Sequence, residues 1–473
     1  MRALRVWTWL GIFTLILAAC TVAASREGES APTATPLPEP QATPTPPVMM
    51  AGPEAGAGAS GSGIELLPEE DPPPGAASQF RTDFSRHIVP YSEIMSGGPP
   101  KDGIPAIDDP QFVSVDAAGA WLAPQEPVIV VQAGDAAHVY PIQILMWHEI
   151  VNDTVGDLPV SVTFCPLCNT AIAFERTLDG QVLDFGTTGR LRFSNLVMYD
   201  RPTESWWQQA TGQAIAGRFA GRQLTLVPAN MVAWADVQAA YSEARVLSRD
   251  TGHNRDYGRN PYVGYDDLNQ RPFLYDGPLT PDELPSMARV LGVNLGGEAV
   301  AYPYPVLREL RVANDTVGGQ AIVLLWTSGV ASALDAGSVA DGQDVGTMTA
   351  FSRVLDGRVL TFQWDGAQMV DDETGSVWNG MGHAVSGPLA GNQLQPVVGV
   401  NYFWFTWAAF RPNGRVYAPA DPSAQAPAEE MEAQAPATYF LKPDGEIISP
   451  TYQFTNPPFS LSPPTCTNPP ILL

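Results

Sequence analysis

Short apolar runs, each closed by a Gly- or Asp-containing turn, dominate the chain between residues 127 and 418. Val128 to Val131, the Gly134-Asp135 turn and Ala137 to Tyr140 predict a β-hairpin. Ile142 to Ile150 carries Ile144, Leu145 and His148 at helical spacing and predicts a short helix. Val160 to Phe164 predicts a buried strand. Ala171 to Glu175 predicts another, leading into Asp179-Gly180, and Asp-Gly between apolar runs is a strong hairpin signal. The pattern then returns. Val290 to Val293, Gly296-Gly297 and Ala299 to Tyr302 predict a second hairpin, Val306 to Val312 a second short helix, and Ile322 to Trp326 a second buried strand. The expected fold class is β-rich α+β, internally duplicated, with two related lobes of short strands and a few short helices.

Residue identities carry the repeat further. Val139-Tyr140-Pro141 through Asn152-Asp153-Thr154-Val155-Gly156 recurs as Ala301-Tyr302-Pro303 through Asn314-Asp315-Thr316-Val317-Gly318. Met198 to Trp207, with Thr203 and Ser205, matches Met369 to Trp378, with Thr374 and Ser376. Gly217 and Gly221 match Gly387 and Gly391. In this register Thr327 stands at Cys165 and Val330 at Cys168. Two more differences stand out. Trp147-His148-Glu149 becomes Glu309-Leu310-Arg311, and the connection from Gly186 to Val197 is longer than its counterpart between Phe362 and Met369. Polar and thiol groups therefore concentrate in repeat one, 127–245, which is expected to hold a site. Repeat two, 289–418, is expected to support it. Residues 246–288 form a connector and 81–126 an N-terminal cap segment.

The ends of the chain differ from this body. Arg2, Arg5 and the apolar run Val6 to Leu17 end in Leu17-Ala18-Ala19-Cys20, which resembles a bacterial lipobox. Residues 1–20 are expected to be a lipoprotein signal, with Cys20 lipidated and holding the chain to a membrane outside the cytoplasm. Residues 21–80 form a Pro/Ala/Gly-rich tether, and 419–473 a largely disordered Pro/Ala-rich tail containing Cys466. The 46 prolines and 43 glycines fit such segments. A formal net charge of −25, with lysine only at Lys101 and Lys442, argues against nucleic-acid binding.

Longer motifs run through the body: Ser96-Gly97-Gly98-Pro99-Pro100-Lys101-Asp102-Gly103-Ile104-Pro105, Trp147-His148-Glu149-Ile150-Val151-Asn152-Asp153, Cys165-Pro166-Leu167-Cys168, Ser194-Asn195-Leu196-Val197-Met198-Tyr199-Asp200 and Arg255-Asp256-Tyr257-Gly258-Arg259-Asn260-Pro261-Tyr262. Residues 81 to about 418 thereby resemble the exported bacterial and archaeal family DUF3179. The resemblance implies an exported protein and no reaction, so the chemistry has to come from the residues.

Two residues between Cys165 and Cys168 let both sulfurs face one point, which suits a local disulfide, a metal or thiol exchange. With His148 on the preceding helix, a Cys/Cys/His set would favour Zn or Cu(I). No second ligand pair at zinc-site spacing is present, and Asn169 after Cys168 excludes c-type haem attachment. His148 and Glu149 are also a candidate acid/base pair, with Glu149 alone reading as a solvated neighbour. Arg190, Arg192, Asn195, Arg255 and Tyr257 are candidates for a groove, together with Glu149; Tyr262 and Tyr265 add aromatic surface to the connector. The single Asp250-Thr251-Gly252 triplet lacks the partner an aspartic protease needs and reads as a loop. No phosphate loop and no Gly-X-Ser-X-Gly elbow occurs. Two functions stay open, with enzymatic activity undecided: a cell-surface lipoprotein with a metal or thiol-redox site at Cys165 and Cys168, and a non-catalytic surface module that binds a small molecule, glycan or protein, with the cysteines only a structural disulfide.

Overall fold

The computed structural model describes residues 65–419. Cys20, Cys466, the signal and the greater part of the tether and tail lie outside the described residues. The described chain is β-rich, with several small sheets and few helices. Among the described residues no helix is long and apolar enough to cross a membrane.

The hairpin Pro127–Ala133 with Ala136–Pro141 forms as its turn residues require, Gly134 taking φ 58°. It lies in a five-stranded sheet, where Ala229–Ala233 pairs with the first strand antiparallel and Arg245–Leu247 with the second in parallel. The helix Ile142–His148 follows, ending two residues earlier than the apolar spacing suggested. It feeds an antiparallel meander of Ile150–Val155, Leu158–Cys165 and Thr170–Glu175, edged by Leu226–Val227. The Asp-Gly hairpin Thr177–Leu178 with Gln181–Val182 has Asp179 at φ 51° and Gly180 at φ 77°, a turn with both central residues left-handed.

The connection from Gly186 to Val197, expected as a loop, is a strand pair instead. Phe185–Arg192 pairs with Asn195–Asp200 around Phe193 and Ser194, which take φ 53° and 61°. Its polar residues look loop-like, but Thr187 and Thr188 bond main-chain carbonyls of Ile104 and Val197 inside the body. This pair centres a five-stranded sheet that starts with Ile94–Ser96 and ends with Trp206–Gln208 and Gln213–Ala216.

From residue 289 onward the order of elements is hairpin (Arg289–Leu295, Glu298–Pro303), helix (Tyr304–Leu310), meander (Val312–Val317, Gln320–Thr327, Thr347–Ser352), short hairpin (Val354–Leu355, Arg358–Val359), then a four-stranded sheet from Phe362–Trp364 to Ala384–Ser386. The aromatic-rich segments near the two ends form helices, Trp234–Ala240 and Trp404–Phe410. Ordered structure also begins ahead of the expected cap segment: Ala76–Gln79 is a helix, and buried Phe80 packs edge-on against Tyr199 and Trp206.

The largest core runs through both meanders' surroundings. It joins Phe164, Ile172 and Trp207 of the first run to Val290, Phe403, Phe405 and Trp407 of the second. Residues 248–288, between the last strand of one run and the first of the next, contain no helix or strand. A structureless segment of that length inside a compact body is commonly functional.

Candidate functional site

The thiol turn arises where the strand Leu158–Cys165 leaves its sheet. Pro166 starts a single 3₁₀ turn, Pro166–Cys168, and Asn169 ends it at φ 52°, ψ 35°, a left-handed conformation that Asn tolerates. Pairing resumes at once, Thr170 standing opposite Cys165. Both cysteines are buried free thiols within hydrogen-bonding reach of each other.

A buried polar network surrounds Cys168. Asn195 Nδ2 donates to Cys168 Sγ at 2.9 Å, and Thr170 Oγ1 lies 3.0 Å from the same sulfur. The Asn195 amide is oriented from behind, because its Oδ1 accepts from Gln208 Nε2 at 2.6 Å and from the Ala210 N–H at 2.9 Å. Gln209 Oε1 accepts from Asn195 and Thr170, each at 2.8 Å, while its Nε2 donates to Thr163 Oγ1 at 3.0 Å.

The two thiols are driven apart in acidity. Burial pushes Cys165 well up, and its neighbour Cys168 adds to the shift. Burial also works against ionising Cys168, but hydrogen bonds from Cys165, Asn195 and the Thr170 main-chain N–H outweigh it and hold this thiol below its usual value. Cys168 is therefore the sulfur prepared to carry negative charge.

Glu149 sits beside this pair and is not the solvated neighbour expected from the sequence. It caps the helix Ile142–His148 at φ 58°, a position that favours glycine, with its N–H donating to Leu145 O at 2.7 Å and its carbonyl accepting from Phe164 N at 2.8 Å. Its side chain is buried, and burial followed by the nearby Cys165 pushes the carboxyl well above its usual range. A non-glycine residue held in this conformation carries local backbone strain.

His148 faces elsewhere. Its Nδ1–H donates to Pro105 O at 2.7 Å, which leaves Nε2 to accept from Tyr257 Oη at 2.6 Å; Tyr257 in turn accepts from Thr251. Burial lowers the imidazole to about 4. With both nitrogens engaged, His148 does not join the sulfurs as a third ligand. Among the described residues no group of three or more His, Cys, Asp or Glu is placed to hold a metal ion. Arg190 donates to Pro74 O at 2.7 Å, Arg192 pairs with Glu93 at 2.6 Å, and Arg255 is exposed. Of the groove residues expected from sequence, Asn195 joins the cysteines in direct contact and Glu149 lies close to Cys165.

A cavity of about 770 Å³ opens beside the turn. Glu149, Leu167 and Leu196 line it from the first run, and Pro261, Tyr262, Tyr265 and Phe273 from the connector. The connector is fastened over the turn by Tyr265 Oη donating to Leu167 O at 2.8 Å and Ser194 Oγ donating to Phe273 O at 2.6 Å. It is held from the other side by residues 328–346. Leu334 O accepts from Tyr265 N at 3.1 Å, and Asp335 O from Gly264 N at 2.9 Å. Sequence reasoning missed Thr170, Gln209 and this bracing segment. Gln209 had a signal: it stands two residues beyond Trp207, where Gly380 stands two beyond Trp378.

No curated protein and no solved structure matches the chain. The family model described as Protein of unknown function (DUF3179) matches residues 101–414, and the chain belongs to that family.

Proposed function

We propose that the chain is an extracytoplasmic lipoprotein, anchored through Cys20, whose first β-rich run carries a dithiol–disulfide site at Cys165 and Cys168. One observation carries the redox reading: an Asn195 amide, fixed in orientation from behind, donates to the sulfur of Cys168 beside a second thiol. In the forward reaction the Cys168 thiolate attacks one sulfur of a partner disulfide and expels the first partner thiolate. The Cys165 sulfur then attacks Cys168 and expels the second, its proton leaving with that group. Two electrons pass to the partner, which leaves as two thiols. Both sulfurs are covered, so exchange begins with the connector lifting off Leu167.

The anchoring reading rests on Leu17-Ala18-Ala19-Cys20, and Cys20→Ala would move the protein from the membrane to the soluble fraction. We also read the two β-rich runs as copies of one ancestral unit, on the strength of their shared element order and matched residues. Zinc or copper binding has less support, since His148 is engaged elsewhere. The alternative of a binding module clamped by a disulfide is favoured by one fact, the absence of both cysteines from the cavity lining.

Equilibration with glutathione buffers, acid quenching, alkylation and intact mass separate these readings. The redox reading expects one reversible two-thiol transition, lost as a unit in Cys165→Ser. A pair that stays oxidised to potentials below about −300 mV is a clamp. A pair that stays reduced throughout removes the redox reading altogether.

A further inference from the structure

The cavity has its own chemistry, separate from that of the cysteines. Its size suits a small organic molecule. Apolar side chains supply much of the wall, among them Ile104, Leu167, Leu191, Leu196 and Phe273. Several polar groups in the lining are already engaged: Thr187 donates to Ile104 O, Tyr265 to Leu167 O and Arg190 to Pro74 O. Gln270 and Arg271 are exposed, and belong to the rim.

Two groups in the wall differ. Neither the Glu149 carboxyl nor the Tyr262 hydroxyl makes a hydrogen bond among the described residues, and the two lie close enough to influence each other electrostatically. Burial pushes both above their ordinary values, which favours the protonated, donating form of each. The wall thus offers two neutral donors and no engaged acceptor for them. Two donors in a largely apolar wall fit a carbonyl oxygen that accepts from both. The one buried cation in the lining, Arg190, directs its Nη2 to Pro74 O and its guanidinium toward the Trp206 ring. The entrance is apolar as well: Val263 and Phe273 line the cavity while 62% and 46% exposed.

We propose that this cavity binds a neutral, largely apolar carbonyl compound, its oxygen held by the Glu149 carboxylic acid and the Tyr262 hydroxyl. Neither donor is a cysteine, so both remain when the thiols are removed, although Cys165 adds to the upward shift of each.

Benzophenone, a neutral diaryl ketone that inserts into nearby C–H bonds under ultraviolet light, is a direct probe. The full chain is irradiated with increasing benzophenone and the labelled peptides are mapped. Saturable labelling of peptides covering 187–196 or 261–274 is expected. Tyr262→Phe and Glu149→Leu each remove one donor and should raise the half-saturating concentration roughly three- to tenfold. Glu149→Gln keeps a donor and should lie closer to wild type. Labelling should persist in Cys165→Ser/Cys168→Ser, so failure of the redox reading leaves this result untouched. Labelling that does not saturate, maps elsewhere, or is unchanged in both Tyr262→Phe and Glu149→Leu overturns the proposal. Tighter binding of 4-benzoylbenzoate, the anionic analogue, overturns the neutral class in favour of anion capture at Arg271.

Discussion

The hairpin that turns at Cys165 and the hairpin that turns after Thr327 begin alike and end differently. In each, a left-handed residue caps the preceding helix and its carbonyl accepts from the strand, Glu149 from Phe164 N and Arg311 from Trp326 N, both at 2.8 Å. In each, an asparagine clasps the next sheet: Asn152 brackets Phe185, and Asn314 brackets Phe362. The first hairpin then closes in one tight turn, Pro166–Cys168. The second runs out through residues 328–346 before returning at Thr347. That excursion reaches the N-terminal cap segment, where Ala331 N donates to Gln125 O at 2.8 Å, and it props the connector at Tyr265. One hairpin holds the thiols, and the other holds what covers them. Shared geometry marks framework, while the differences mark what each region does.

The sharpest break of this comparison gives the first region the residues of the second. Cys165→Thr/Cys168→Val should abolish the two-thiol transition while leaving the circular dichroism spectrum intact and Tm within a few degrees. Failure to fold would make the pair a requirement of the scaffold.

Matched framework should respond in matched fashion. Asp200 Oδ2 accepts from Trp207 Nε1 at 2.9 Å and its Oδ1 from Thr203 N at 2.7 Å; Asp371 accepts from Trp378 and Thr374 at the same two distances. Asp200→Ala and Asp371→Ala each strand buried donors and should each cost about 3 kcal/mol in urea unfolding. A difference above about 2 kcal/mol between them would show that the two clusters do not bear equivalent loads.

His148 stands where the second region has Leu310 and should give the first region a pH dependence that the matching position lacks. Its folded pKa of about 4 lies below its ordinary 6.5, so the folded state binds fewer protons than the unfolded between those values. Stability from neutral His148 is full above pH 6.5 and is lost as pH falls toward 4, by about 3 kcal/mol in all. His148→Leu should flatten that limb of the stability–pH curve.

Particular residues show what the pattern along the chain carried and what it did not. Asp179-Gly180 and Gly134-Asp135 marked their hairpins because a tight turn needs left-handed residues that few types accept. The strand pair around Phe193 and Ser194 was obscured by its own polarity, for Thr187, Thr188 and Asn195 satisfy partners inside the body. Glu149 was legible as a difference between the two runs and illegible as a buried acid. An acidic residue after a short helix looks solvated until the connector brings Tyr262 and Tyr265 to the same cavity. The thiols were legible; Gln209, which organises their surroundings from the turn after Trp206–Gln208, was marked only by its contrast with Gly380.

The finest test lies at the two helix caps. Glu149 and Arg311 take φ 58° and 67°, so glycine at either position relieves about 1 kcal/mol of left-handed strain. Arg311 loses something in return, because its guanidinium lies 4.3 Å from the Trp326 ring centre, a contact worth about 0.5–1 kcal/mol. Arg311→Gly should therefore leave stability almost unchanged. Glu149→Gly has no hydrogen bond to lose and should stabilise by about 1 kcal/mol at pH 4. The gap should widen as pH rises, and the sign follows from the raised folded pKa. Above the ordinary carboxylate range the unfolded chain releases its proton while the folded chain keeps it, so wild-type stability falls with rising pH until the folded carboxyl also ionises. The glycine variant has no such group and keeps its stability across that interval. Urea unfolding of both variants at pH 4 and pH 7 measures the difference directly. Equal, pH-independent responses at the two caps would mean that Glu149 is framework like Arg311, and the cavity would lose its acid.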